Sequence, residues 1–194
     1  MQLKRLFSAD SVKGTKNYLD TQKKYEIART IIYFVISISL FIAGYISTGE
    51  RLNLLSVVAA LGCLPACKSL VDVIMYLRFK SCSEEASIAI EAHTEDLHCL
   101  YDMVFTSYKT NFQVAHIVVC GNTVCGFSED KSFKENEFYK HIGDILKLDG
   151  HKEVTVKIFT DITKYINRLE QIRELECEEQ LTTSILATLK SVAL

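Results

Sequence analysis

The sequence predicts a two-helix transmembrane hairpin followed by a small cytosolic α+β domain whose elements run α-β-β-α-β-α-α. Three observations predict it. Thr30 to Gly49 (TIIYFVISISLFIAGYISTG) carries no charged side chain, and at about 1.5 Å per helical residue that run crosses a hydrocarbon core of about 30 Å. After Glu50 and Arg51 a second apolar run extends from Leu52 to Leu77, interrupted only by Lys68 and Asp72. Beyond Lys80 the apolar residues fall into short blocks of alternating and helical period, the pattern of one compact mixed domain.

The domains expected are a basic, partly helical N-terminal segment (1–29), the hairpin (30–77, spans 30–49 and 52–77) and the α+β region (78–194). Residues 1–29 hold seven Lys or Arg against three Asp or Glu, whereas residues 81–194 hold eleven against nineteen, so the two ends suit different partners. Met1 to Phe7 combines Leu3, Leu6 and Phe7 with Lys4 and Arg5, a composition suited to an anionic leaflet or to a frayed basic terminus. A helix is expected from about Asn17 into the first span, with Tyr18, Tyr25 and Tyr33 near headgroup depth.

Lys16, Lys23, Lys24 and Arg29 precede the first span and Arg78 and Lys80 follow the second, which places both termini in the cytoplasm at an inner (cell) membrane. A cleaved signal peptide fits less well, because the first run leads straight into a second one. Seven cysteines are present, two of them (Cys63 and Cys67) inside the second span and the rest without paired spacing, so all are expected as reduced thiols.

Within the hairpin, Ser39 and Ala43 on the first span and Ser56, Ala59, Ala60, Cys63 and Cys67 on the second are small residues that let two backbones approach, within one hairpin or between copies. Pro65, the single proline, removes a donor from the helix ladder, so a kink is expected between Leu61 and Ala66. Lys68 and Asp72, four apart, form the expected polar pair. Lys68 lies about 24 Å along a core of about 30 Å, close enough to the inner interface for its ammonium to snorkel.

The stretch LPACKSLVDVIMYL, through Leu64, Pro65, Ala66, Lys68, Val71, Ile74 and Met75, resembles small uncharacterised two-span bacterial membrane proteins. That resemblance implies the topology and carries no activity.

In the C-terminal region, Ser83 to about Ser107 is expected as one long helix, with Glu84 and Glu85 in its first turn and apolar residues from Ala86 to Phe105 at helical spacing. Phe112 to Cys120, Gly121-Asn122 and Thr123 to Phe127 read as a hairpin. Ser132 and Glu135 suggest a capping box ahead of a helix that Gly150 closes. Val154, Val156 and Ile158 share one face of a third strand. Asp161 caps the next helix, and Leu181 to Val192 forms the last.

If Gly121 and Asn122 are the turn, His116, Val118, Cys120 and Cys125 share a face, so His116, Cys120 and Cys125 are the candidates for thiolate or metal chemistry. No fourth ligand is marked out, and neither a metal nor another cofactor is expected. Glu129, Asp130, Glu153 and Lys157 supply the residue types of a metal-dependent nuclease. Thr155 stands where the acid two before the lysine belongs, and an acidic domain repels a phosphate backbone, so no nucleic-acid partner is expected. No glycine-rich phosphate loop and no nucleophile elbow occurs.

The expected function is therefore that of a non-catalytic integral membrane protein with a cytosolic interaction, sensor or scaffold domain, its partners being the lipid bilayer and another protein or a second copy. The alternatives are a membrane-tethered hydrolase or nuclease and an oligomeric two-span channel or effector.

Overall fold

The structure is a computed structural model in which residues 13–51, 53–94, 97–151 and 153–194 are described. The basic Met1 to Phe7 segment lies outside the described residues. The chain forms two units, one comprising Leu19–Lys80 and the other residues 13–18 together with Ser81–Leu194.

The first unit holds two helices long and apolar enough to cross a membrane, α1 (Tyr18–Thr48) and α2 (Leu54–Leu77). The turn between them is sharp because Gly49 takes φ +68° and the Asn53 carboxamide oxygen accepts from Ser56 N at 2.8 Å, capping α2. α2 is one helix through Pro65.

The helices return antiparallel. Thr30 Oγ1 lies 2.7 Å from Ser69 Oγ, and a Cβ added to Gly62 would stand 2.9 Å from Ser37 Oγ. Ser37, Ala59, Ala66 and Ser69 are buried along this seam, so it is built from small residues that bring the backbones together. Of the contact set the spacing suggests, Ala59 is buried and Cys63 half-buried, while Ser39, Ala43, Ala60 and Cys67 are exposed. The seam needs a period near 3.5 residues over several turns, and steps of four carry a stripe gradually off it.

The second unit is a three-layer sandwich. Its sheet has the order β1-β2-β3-β4, comprising β1 (Cys99–Thr106), β2 (Asn111–Cys120), β3 (Thr123–Phe127) and β4 (Thr155–Phe159). β1 to β3 pair antiparallel, and β3 pairs parallel with β4 through a crossover containing α4 (Glu135–Leu148). Helices α4 and α6 (Glu179–Val192) cover one face, where Phe138, Ile142, Leu146, Ile185 and Leu189 meet Phe105, Phe112, Val114 and Ile117. Helices α3 (Glu84–Glu91) and α5 (Ile162–Arg173) cover the other, where Ile90, Tyr165, Leu169 and Ile172 meet Val118, Cys125 and Phe127.

One expected element is corrected. The helix predicted over Ser83 to Ser107 ends at Glu91, and Cys99 to Thr106 is the first strand, so the unit runs α-β-β-β-α-β-α-α. β1 is buried on both faces. Its alternation also slips at Asp102, which has φ +54° and leaves Leu100 and Met103, three apart, in the same core. Apolar residues at three- and four-residue intervals then imitate a helix.

Two terminations follow local chemistry. α4 ends in a Schellman arrangement, with Gly150 at φ +89°, His151 N donating to Leu146 O at 2.9 Å and Gly150 N to Lys147 O at 3.1 Å. It begins later than a Ser132 cap requires, because Asp130 Oδ1 accepts both Ser132 N (2.8 Å) and Ser132 Oγ (2.6 Å) in an Asx turn.

Candidate functional site

The β2–β3 hairpin forms in the register the turn dictates, Cys120 opposite Thr123 and Val118 opposite Cys125, which sets His116, Val118, Cys120 and Cys125 toward α5. Asp161 caps α5 by accepting from Thr163 N at 2.9 Å and Lys164 N at 3.4 Å. Tyr165 then falls one turn in, on the same buried stripe as Leu169 and Ile172.

The two elements bring His116 Nδ1 to 2.7 Å from the Tyr165 hydroxyl, both side chains sealed from solvent. Phe127 stacks on Tyr165 at 5.6 Å, and Tyr101 meets the imidazole edge-on at 4.5 Å. Burial drives His116 down to about 3 and Tyr165 well above its usual value, so both stay neutral at physiological pH. His116 Nε2 has no hydrogen-bond partner among the described residues.

The arrangement does not build a nucleophile. Cys125 is buried and burial pushes its thiol up, against the weaker opposing influence of Arg168. Cys99 is raised by burial and then by Glu91, and Cys82 is pushed up to about 12 by burial, Glu129 and Asp102.

Cys120 is joined to Cys177 in a disulfide with Cα atoms 4.9 Å apart, inside the range a disulfide requires. This corrects the expectation that every cysteine is a free thiol. The pair is 57 residues apart in sequence, and it forms because the link after α5 folds back onto the end of β2, a juxtaposition that no spacing announces.

Glu153 takes φ +67° just before β4, whereas Lys157 lies within the strand and sets its ammonium 5.2 Å from the Phe159 ring. Among the described residues no group of three or more His, Cys, Asp or Glu side chains is placed to hold a metal ion, so His116, Cys120, Cys125, Glu129, Asp130 and Glu153 do not form such a centre, while Lys157 stands opposite Cys125 in the β3–β4 register. A cleft of about 440 Å³ lies elsewhere, between the β1–β2 turn and α4, lined by Tyr108, Lys109, Glu137, Lys140, His141 and Asp144 with charges of both signs.

In the hairpin, the expected pairing of Lys68 with Asp72 is replaced. Asp72 pairs with Arg29 of α1 at 3.3 Å, and Arg29 also pairs with the buried Glu26 one turn earlier. Gln22 Nε2 donates to Glu26 Oε1 at 3.0 Å, extending this polar line along α1. Lys68 makes no ion pair with Asp72, although both line one cavity of about 250 Å³ together with Arg29, Tyr33, Pro65 and Ser69. A hairpin turning near Glu50 sets positions summing to about one hundred face to face, so Arg29 opposite Asp72 was readable from the turn. The i,i+4 spacing of Lys68 concealed it.

Comparisons with protein-family models, with curated proteins and with solved structures find no match for this chain.

Proposed function

We propose that the chain is a two-span membrane protein whose α+β domain works through contact with another protein, as a scaffold, sensor or regulatory subunit. The observation that carries the reading is the outer surface of the hairpin. Ile46 (77% exposed), Leu54 (78%), Leu64 (67%) and Ile31 (58%) stand out from helices whose shared seam is small and polar. In water such a belt demands cover, whereas in lipid it is the surface that association through small residues leaves outside.

The basic residues flanking the spans orient the hairpin with both ends inside, at a bacterial-type inner membrane. The absence of convergent titratable groups around His116 favours protein contact over hydrolysis. A second copy is one partner the hairpin accommodates, because Ser39 and Ala43 lie outside the seam four residues apart.

Extraction of membranes with alkaline carbonate should leave the full-length protein in the pellet. A cysteine introduced at Arg51 should react with an impermeant thiol reagent from the outer face alone. Recovery in the carbonate supernatant overturns the anchor, and labelling only after lysis overturns the orientation. In-cell cross-linking before detergent purification should capture either a second copy or another protein, and purely monomeric recovery overturns the interaction role.

A further inference from the structure

The disulfide and the membrane orientation pull in opposite directions. Six basic residues flanking the spans put the α+β domain on the reducing side, where disulfides that form are transient and serve catalysis or redox sensing. The structure nevertheless joins Cys120 to Cys177. The two sulfurs also differ in access: Cys120 is 6% exposed within the α5-side core, while Cys177 is half-buried and lines a cavity of about 210 Å³. Leu97, His98, Val119, Arg173, Leu175 and Glu179 complete that cavity.

We propose that Cys120 and Cys177 form a reversible dithiol–disulfide couple that exchanges with a small zwitterionic thiol, of amino-acid type, seated in the cavity beside Cys177. The proposal rests on the orientation given above. Arg173 and Glu179, of opposite charge, both line the cavity, which suits a carboxylate and an ammonium on the same molecule.

In the reducing direction the incoming thiolate attacks Cys177 Sγ. A new sulfur–sulfur bond forms to Cys177, the bond to Cys120 breaks, and Cys120 leaves as a thiolate that takes a proton from water. A second small thiolate attacks the small molecule's own sulfur, releasing Cys177 as a thiolate and a small-molecule disulfide. Two small thiols are oxidised and one protein disulfide is reduced; the reverse sequence, driven by the small-molecule disulfide, closes the couple.

Opening the bond frees the short acidic link between α5 and α6 while the sandwich stays together. Gly121 N still donates to Thr182 Oγ1 at 2.9 Å, and Ile185 and Leu189 remain in the opposite core, so α6 keeps its seat. The couple therefore changes a local segment, not the fold.

The test uses the purified full-length protein in detergent, equilibrated with cysteine and cystine at a series of ratios and read by differential alkylation and mass spectrometry. The pair should open and reclose reversibly with the ratio. Cys120→Ser should accumulate one cysteine adduct on Cys177, and Arg173→Gln should slow opening by cysteine severalfold while leaving opening by 2-mercaptoethanol, compared at equal thiolate concentration, unchanged. A pair that resists millimolar cysteine under native conditions but opens in denaturant is a permanent staple and overturns the proposal. So does an Arg173→Gln effect equal for both thiols, which removes the docked ligand. The Arg51 labelling reads the orientation separately, so its failure is distinguishable from failure of the exchange.

Discussion

His116 Nδ1 and the Tyr165 hydroxyl, on β2 and α5, are 2.7 Å apart, both residues fully buried in the second unit. The contact ties the sheet to the helix that covers it. Replacing Tyr165 with Phe strands the imidazole nitrogen without a partner and should cost about 1–3 kcal/mol, read by denaturant unfolding of the full-length protein in detergent. Replacing both residues, His116→Leu with Tyr165→Phe, should cost less than the sum of the single changes, because no buried polar atom is then left over.

The same pair sets a pH dependence. His116 binds its proton near 6.5 when unfolded and only at about 3 when buried. Between those values the unfolded state holds more protons, so acid should remove stability below pH 6.5 at up to about 1.4 kcal/mol per pH unit, with no contribution above it. The wild-type curve minus that of the double variant isolates this slope from the carboxylates. Equal slopes in the two proteins would remove His116 as the cause.

Asp72 holds Arg29 across the hairpin, whereas Lys68 makes no pair with Asp72. Asp72→Ala should weaken the association of the two helices by roughly 1 kcal/mol, and Lys68→Ala by less than half of that. Arg29→Ala should be the most damaging of the three, since Glu26 and Asp72 lose their shared cation. Unfolding in mixed micelles, followed by a fluorophore pair across the hairpin, ranks them.

Gly62 faces Ser37, where an added Cβ would stand 2.9 Å from the hydroxyl and a larger side chain would meet the first helix. Gly62→Leu should therefore separate the helices at a cost of about 1–3 kcal/mol, while Ala60→Leu, on the exposed side, should leave the same fluorescence transition in place. A shift at position 60 equal to that at position 62 would mean that the seam has been misplaced.

Asp161 caps α5 with two backbone donors. Asp161→Ala should cost about 1 kcal/mol. Ser132→Ala should cost within about 0.5 kcal/mol, because Ser132 turns toward Asp130 and caps no helix. Thermal unfolding of the two variants compares them directly.

Much of this architecture was legible in the sequence, and for nameable reasons. The charge-free run from Thr30 and the Gly49 turn placed both long helices, Gly121-Asn122 placed a hairpin to the residue, and Asp161 and Gly150 marked helix ends. The first strand was not legible, because burial on both faces and the backbone reversal at Asp102 erased its alternation. At the candidate site, the shared face of His116, Cys120 and Cys125 followed from the hairpin register. Tyr165 carried a signal that went unread, since the Asp161 cap fixes which residues of α5 turn inward. Cys177 carried none: it reaches Cys120 only after the helices on both sides of its link have packed.

The outer margin of β1 is stitched shut. Tyr101 N donates to Gly14 O at 2.8 Å, Leu194 N donates to Val104 O at 2.8 Å, and Phe105 bridges to Ala193. Lys13 Nζ reaches Ala193 O at 2.8 Å, fastening the two stitches to each other. A foreign strand seeking unsatisfied amides must therefore go to β4, where the exposed Lys157 meets it with a charge. A domain hemmed in this way resists growing into fibrils from that side.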